Sequence, residues 1–262
     1  MTSHDDLDLS RAPLLAHLLE LRKRLLICLG LFAVAFGVSY LFAEPLYRFL
    51  MEPLVDIFGP DSGRRMIFTG LHEAFLTQLK LAFVSALFFT LPLALIQVWK
   101  FMAPGLYQHE QGYLRLLFAL TPILFVVGAA LAYYVVFPLA WQFFLSFEAP
   151  AVAGSLPVEL EARVSEYLGL VIRLILAFGL SFELPVVLLL LARTGAITAD
   201  SLAHNRRYAI VAIFAVAALV TPPDLISQIA LGSPILLLYE ASIWLIRLLD
   251  RRAALADKPT TN

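Results

Sequence analysis

Four long, predominantly apolar runs, residues 25–42, 81–99, 116–137 and 174–192, limit what this chain can become. Each approaches the roughly 20 residues that a helix needs to cross a hydrocarbon core of about 30 Å. Inside lipid the backbone must satisfy its own polar groups, so a single apolar run that spans is a helix. Composition agrees. The chain is 61% hydrophobic and only 15% charged, where a soluble domain carries about 25% charged residues. Two weaker segments follow, residues 208–220 and 231–249, separated by Thr221-Pro222-Pro223-Asp224. The first provides roughly 20 Å of helix, so it crosses a locally thinned bilayer or forms a re-entrant hairpin with the second. Both choices leave the two chain ends on one side. The expected fold is an all-α polytopic membrane protein with six transmembrane helices, the last two short. It forms a single domain: residues 1–24 as an N-terminal segment, 25–249 as the membrane bundle and 250–262 as a tail.

Basic residues orient the bundle. With the N-terminus inside, the inner segments hold Arg11, Arg22, Lys23, Arg24, Lys100, Arg115, Arg193, Arg206, Arg207, Arg247, Arg251, Arg252 and Lys258. The outer segments hold Arg48, Arg64, Arg65, Lys80, Arg163 and Arg173. The excess of Lys and Arg on the first side places both termini in the cytoplasm. Leu14, Leu15, Leu18, Leu21 and Leu25 recur at helical spacing ahead of the first span, which predicts an amphipathic interfacial helix. Residues 158–168 are expected to extend the fourth span outward as helix. Prolines 92, 122, 138, 185, 222 and 234 lie in or beside the later spans and predict kinked helices. Phe89-Thr-Leu-Pro and Phe182-Glu-Leu-Pro match in two spans that run the same way, a trace consistent with a duplicated hairpin or with chance.

Between the second and third spans lies Ile96-Gln-Val-Trp-Lys-Phe-Met-Ala-Pro-Gly-Leu-Tyr-Gln-His-Glu-Gln-Gly-Tyr113. It combines a Pro104-Gly105 turn, the aromatic residues Trp99, Phe101 and Tyr107, and the carboxylate Glu110. An interfacial connector explains it as well as a recognition loop does, because Trp and Tyr belt membrane surfaces. Glu20 stands among Arg22, Lys23 and Arg24, which a simple surface ion pair would account for. Glu183 is least expected: an ionised carboxylate at the middle of a span costs about 2.5–3.5 kcal/mol or more. It is either an intramembrane polar contact or a protonated carboxyl that donates to the carbonyl Pro185 frees near Ser181. Thr221-Pro-Pro-Asp224 reads as a capping box, with threonine as N-cap and the acid three residues on.

Several classes of chemistry find no support. The histidines are scattered and no ligand set for a metal is apparent. No phosphate loop, nucleophile elbow or cysteine pair is present, so neither cofactor nor catalytic residue is expected. A net charge of −1 gives no bias toward nucleic acid. Cys28 lies alone within an apolar run and reads as a small hydrophobe.

The motifs converge when taken in order. His17-Leu-Leu-Glu-Leu-Arg-Lys-Arg-Leu, Gln97-Val-Trp-Lys-Phe-Met-Ala-Pro-Gly-Leu-Tyr-Gln-His-Glu, Phe178-Gly-Leu-Ser-Phe-Glu-Leu-Pro and Thr221-Pro-Pro-Asp with Ser227-Gln228 resemble the TatC family. That family is the multispanning receptor of the twin-arginine protein translocase. The resemblance runs from about His17 to Arg247. It implies a non-enzymatic receptor in the cytoplasmic membrane of a prokaryote, reading the paired arginines of signal peptides on folded cargo. It also implies Glu20 and Glu110 as the acidic contacts, with Arg22 and Phe101 beside them. Two guanidiniums suit two planar carboxylates, each able to accept a bidentate pair. The expected partners are TatB-like and TatA-like single-span subunits, further copies of the chain and the lipid bilayer, with transport drawing on the proton-motive force. Glu183 becomes a candidate partner contact, and Asp224 and Pro53 candidates on the outer side. A small-solute transporter built around Glu183 is the competing reading. A membrane-embedded enzyme is the third, without a constellation to support it.

Overall fold

The computed structural model describes residues 5–59, 64–102, 111–149, 156, 160–221 and 225–256. Helices account for nearly all of them: α1 Asp5–Leu41, α2 Ala43–Phe58, α3 Glu73–Met102, α4 Gln111–Leu131, α5 Phe137–Leu145, α6 Val164–Ser181, α7 Leu184–Arg193, α8 Ala199–His204, α9 Arg206–Val220 and α10 Leu225–Ala256. Among the described residues no strand forms, and Ile67 and Arg163 pair in an isolated bridge. Five helical stretches are long and apolar enough to cross a membrane: His17–Leu41, Glu73–Phe101, Ala119–Leu145, Val164–Arg193 and Ser227–Arg251.

α1 differs from expectation. The amphipathic stretch and the first span form one helix without a break. Adding residues to a formed helix is cheaper than nucleating a second one, and nothing between residues 14 and 41 forces a stop. Its apolar side chains, Leu29, Val34 and Leu41 among them, stay exposed and pack chiefly on α3. Lipid is the partner such a surface requires. α6 begins at Val164, so the predicted extension is shorter at its start than residues 158–168. Arg163 is extended and in the bridge, and Val164 N–H donates to the Ile67 carbonyl.

The core lies where α2 folds back over the ends of α3, α5 and α6, around Leu54, Leu81, Phe137, Trp141, Tyr167 and Val171. Proline explains its hydrogen bonding. Pro53 has no N–H, so the carbonyl four residues earlier, Phe49, loses its helical donor. The Tyr133 hydroxyl takes that place at 2.6 Å. The Tyr167 hydroxyl donates to the next carbonyl, Leu50, at 2.7 Å. Tyr133 sits in a π-helical turn, Ala132–Val136, that precedes Pro138 in α5. The wider turn gives room where the Pro138 ring would crowd the carbonyl of Tyr134.

These bonds predict a coupling. Tyr133→Phe should lower stability by about 1–3 kcal/mol by leaving the Phe49 carbonyl unpaired. With Pro53→Ala, the new backbone N–H can serve that carbonyl, so the same change should cost much less. Strict additivity of the two substitutions in a thermal-melting cycle would disprove the assignment.

At the same end, Arg64 clasps Glu148 through both carboxylate oxygens, at 2.8 and 2.7 Å. That contact, with the Leu160 N–H, holds the Glu148 carboxyl below the usual glutamate range.

Only some prolines mark breaks. Pro92, Pro122 and Pro234 lie inside α3, α4 and α10, whereas Pro185 starts α7 after a two-residue turn at Phe182-Glu183. The two Phe-x-Leu-Pro motifs therefore adopt different conformations. The capping box expected at Thr221 runs through residues 222–224, which lie outside the described residues. Thr221 ends α9, and its hydroxyl joins its own backbone N–H in donating to the Ala217 carbonyl, at 2.9 Å. Asp224 and Pro222 lie outside the described residues.

Candidate functional site

Away from α2, the last turns of α3 pack against α1 and, through Trp99, against α7, α8 and α10, and Glu20 of α1 lies beside these turns. Glu20 and Arg24 are one helical turn apart, the spacing at which a carboxylate and a guanidinium on one face meet. Arg24 donates from Nε and Nη2 to Glu20 Oε1, at 3.1 and 2.5 Å. Its reach continues across to α3. Nη1 donates to Gln97 Oε1 at 3.1 Å and Nη2 to the Lys100 carbonyl at 3.2 Å. Arg24 thus ties the acidic residue to the last turn of α3. One turn earlier on α1, the His17 ring stacks on Phe101 with centroids 4.0 Å apart.

Glu20 Oε2 has no hydrogen-bonding partner among the described residues, and the side chain is 36% exposed. The geometry is a half-occupied carboxylate. One oxygen is fixed by an internal arginine, and the other accepts no hydrogen bond among the described residues. Such a group can accept a second guanidinium without giving up the first.

The expected site residues divide accordingly. Glu20 and Phe101 stand on neighbouring turns of α1 and α3. Arg22 does not join them. Two residues from Glu20 is a rotation of about 200°, so Arg22 projects from the far side of α1, exposed beside Leu19, Lys23 and Leu26. Glu110, Tyr107 and the Pro104-Gly105 turn lie outside the described residues. Trp99 is not a surface anchor. It is 6% exposed, clustered with Val186, Leu190, Ile243 and Ile246. Sequence reasoning passed over Arg24, Gln97 and His17 as site residues. The Glu20-to-Arg24 spacing was a visible signal, but the Gln97 partnership depends on how α1 packs against α3.

Glu183 stands at the turn between α6 and α7 and is 3% exposed. Neither carboxylate oxygen has a partner in hydrogen-bonding geometry among the described residues. The carboxyl therefore does not donate to the Ser181 carbonyl as one reading expected. The nearby polar group that influences it is the hydroxyl of Thr121 on α4, itself fully buried. No group of metal-ligating side chains occurs among the described residues.

On the far side of the bundle, α9 is 15 residues long, about 22 Å of helix. It packs on α10. Arg206, at its start, clasps Glu240 at 2.6 and 2.8 Å. α10 then continues past that level to Ala256.

Comparison with known proteins agrees with this architecture. A family profile described as "Sec-independent protein translocase protein (TatC)" matches residues 16–234. The protein of that name from Magnetococcus marinus is 47% identical over 244 residues, covering 93% of this chain and 87% of the relative. The one from Escherichia coli K12 is 39% identical over 235 residues, covering 90% and 88%. A crystal structure described as the twin arginine translocase receptor TatC in DDM superposes with a TM-score of 0.75 at 34% identity. It covers 88% of this chain and 99% of that one. The chain belongs to the TatC family of Sec-independent protein translocase proteins.

Proposed function

We propose that the protein is the signal-peptide receptor of a twin-arginine translocase, and that Glu20 supplies one of its two acidic contacts. The observation that carries this reading is the partly exposed Glu20 carboxylate, oriented through Oε1 by Arg24 and one turn from the His17–Phe101 stack. A peptide arginine there makes a charge-assisted bond at a partly exposed site, where a planar fork has an advantage over the point charge of lysine. Glu110, eight residues past the end of α3, is the second acidic contact. Arg22 acts from the other face of α1, as an attractor of anionic lipid headgroups rather than a direct ligand.

This end of the bundle faces the cytoplasm and carries both termini, in accordance with the distribution of Lys and Arg. α9 is the fifth of six spans and α10 the sixth. The bilayer thins around α9, because about 22 Å of helix falls short of a core of about 30 Å. Proline-bearing helices give the bundle its kinks. Single-span TatB-like and TatA-like subunits and further copies of the chain assemble around it in the cytoplasmic membrane, and the proton-motive force drives export. Glu183 is the intramembrane partner contact. A buried carboxyl with only the Thr121 hydroxyl beside it gains from a further polar side chain offered by a docking helix. Pro53 acts by shaping α2 on the outer side, and Asp224 is an outer contact.

Binding of a twin-arginine signal peptide to the detergent-purified protein, with a Lys-Lys peptide as control, tests the reading. The Arg-Arg peptide should bind at least about tenfold more tightly, the difference made by one charge-assisted hydrogen bond. Equal affinities would reduce the contact to generic charge attraction.

A further inference from the structure

Two basic side chains at the α2 end converge on one backbone position of α6. Arg173 Nε donates to the Gly169 carbonyl at 3.0 Å. The Lys80 ammonium, reaching over from α3, lies 3.4 Å from where a Cβ on Gly169 would stand. The missing side chain lets the lysine lie across the helix beside the arginine. Both residues are exposed, and neither has a carboxylate within ion-pair distance among the described residues. Neighbouring acids are committed elsewhere. Glu73 accepts from Ser165 Oγ and from the N–H groups of Thr69 and Gly70, Glu166 from Arg163, and Glu44 from Arg48.

Their depth matters as much as their charge. Lys80 and Arg173 stand about 10 and 14 Å along α3 and α6 from the helix starts at Glu73 and Val164. The corresponding apolar stretches are 29 and 30 residues long, roughly 44 Å against a hydrocarbon core of about 30 Å. The two cations therefore sit near the edge of the hydrocarbon, where long basic side chains reach the phosphate level. Beside them, toward the midplane, opens a cavity of about 260 Å³ between α2, α3, α4 and α6. Leu81 and Val84 follow Lys80 along its wall, and Ile172 and Ile175 flank Arg173, with Phe88 and Ala129 opposite.

We infer that this groove binds an anionic phospholipid of the leaflet at the α2 end, with its phosphate between Lys80 and Arg173 and one acyl chain in the cavity. Under the orientation proposed above this is the outer leaflet, but the site itself is independent of the peptide receptor. An anionic headgroup is selected because the two cations have no internal counter-charge. A choline lipid has a zwitterionic headgroup, whose quaternary ammonium would offset its phosphate and bring a third positive charge beside them. The acyl chain fits because the walls are apolar and lie at membrane depth.

The test is native mass spectrometry of the full chain in detergent, titrated with phosphatidylglycerol or with phosphatidylcholine of matched chains. The wild type should retain phosphatidylglycerol preferentially. Lys80→Gln and Arg173→Gln should each weaken it about fivefold, the effect of one basic residue near a membrane surface, and the double variant should lose the preference. Val84→Trp, which fills the groove, should weaken retention of both lipids. Equal retention of the two lipids by the wild type, or an unchanged preference in the double variant, would overturn the inference. So would displacement of phosphatidylglycerol by millimolar inorganic phosphate, which would mark a free-anion site. Full lipid retention in a normally folded Val84→Trp would show that the groove has another occupant, such as a helix of a second chain.

Discussion

Glu20→Gln is expected to weaken twin-arginine peptide binding about 10- to 100-fold while leaving the weak binding of a Lys-Lys peptide nearly unchanged. Hydrogen bonds to charged groups contribute about 1.5–3 kcal/mol, and each 1.4 kcal/mol is a factor of ten in affinity. Glutamine keeps the size of the side chain and an oxygen for Arg24, but removes the charge and turns the other atom into a donor or a neutral acceptor. The substitution therefore tests recognition rather than folding. Alanine would be a poorer probe, because it would strip Arg24 of its partner and disturb the clasp onto Gln97 and Lys100. Glu110→Gln should behave alike, since two carboxylates are assigned to two arginines. Arg24→Lys is the informative control. It keeps the charge but cannot reach Glu20, Gln97 and the Lys100 carbonyl at once, so binding should fall through misplacement of Glu20 even though Glu20 remains. Wild-type affinity in both glutamine variants, measured by titration calorimetry, would remove the site.

The second large effect concerns folding. Gly128→Leu is expected to destabilise the protein by about 3 kcal/mol or more, at the upper end of the cost of overpacking. A Cβ at Gly128 would stand 2.5 Å from the Phe178 carbonyl oxygen and 2.8 Å from the Phe182 ring. One obstacle is backbone, which cannot rotate aside. The contact is reciprocal, because a Cβ at Gly179 on α6 would meet the Phe125 ring of α4 at 2.8 Å. α4 and α6 are thus locked at two glycines, the small-residue approach by which membrane helices gain van der Waals contact. Thr121 and Glu183 lie along the same seam, so separating the helices would also expose the buried carboxyl. Gly30→Leu and Gly37→Leu on α1 meet nothing within 4 Å and should be tolerated. Melting midpoints compared across the three variants would decide. Equal midpoints for Gly128→Leu and Gly37→Leu would mean that the seam does not hold the bundle.

Legibility differed from one residue to the next. The four long apolar runs appear in the structure as helices, because membrane length and backbone self-satisfaction leave a chain no alternative. Glu183 was identifiable as anomalous from its place in an apolar run. That it lies at a helix break, without a hydrogen-bonding partner, was not. Thr221 was legible as a helix-end residue, but the bond its hydroxyl donates back to the Ala217 carbonyl of α9 was not. Trp99 looked like an interfacial anchor by type and became core, since helix rotation turned it toward α7 and α10.

Composition, run length and the distribution of charged residues decided the solvent and the helical class, which depend on local sequence and on the bilayer alone, and the ordered motifs carried the resemblance to the family. Contacts between distant residues required the folded bundle. Arg24 reaching Gln97, Tyr133 serving the carbonyl freed by Pro53, Gly128 against Phe178 and Lys80 meeting Arg173 over Gly169 each join helices far apart in the chain. Nothing local to either partner encodes the rotation and offset at which two helices pack, and those two quantities create every one of these sites.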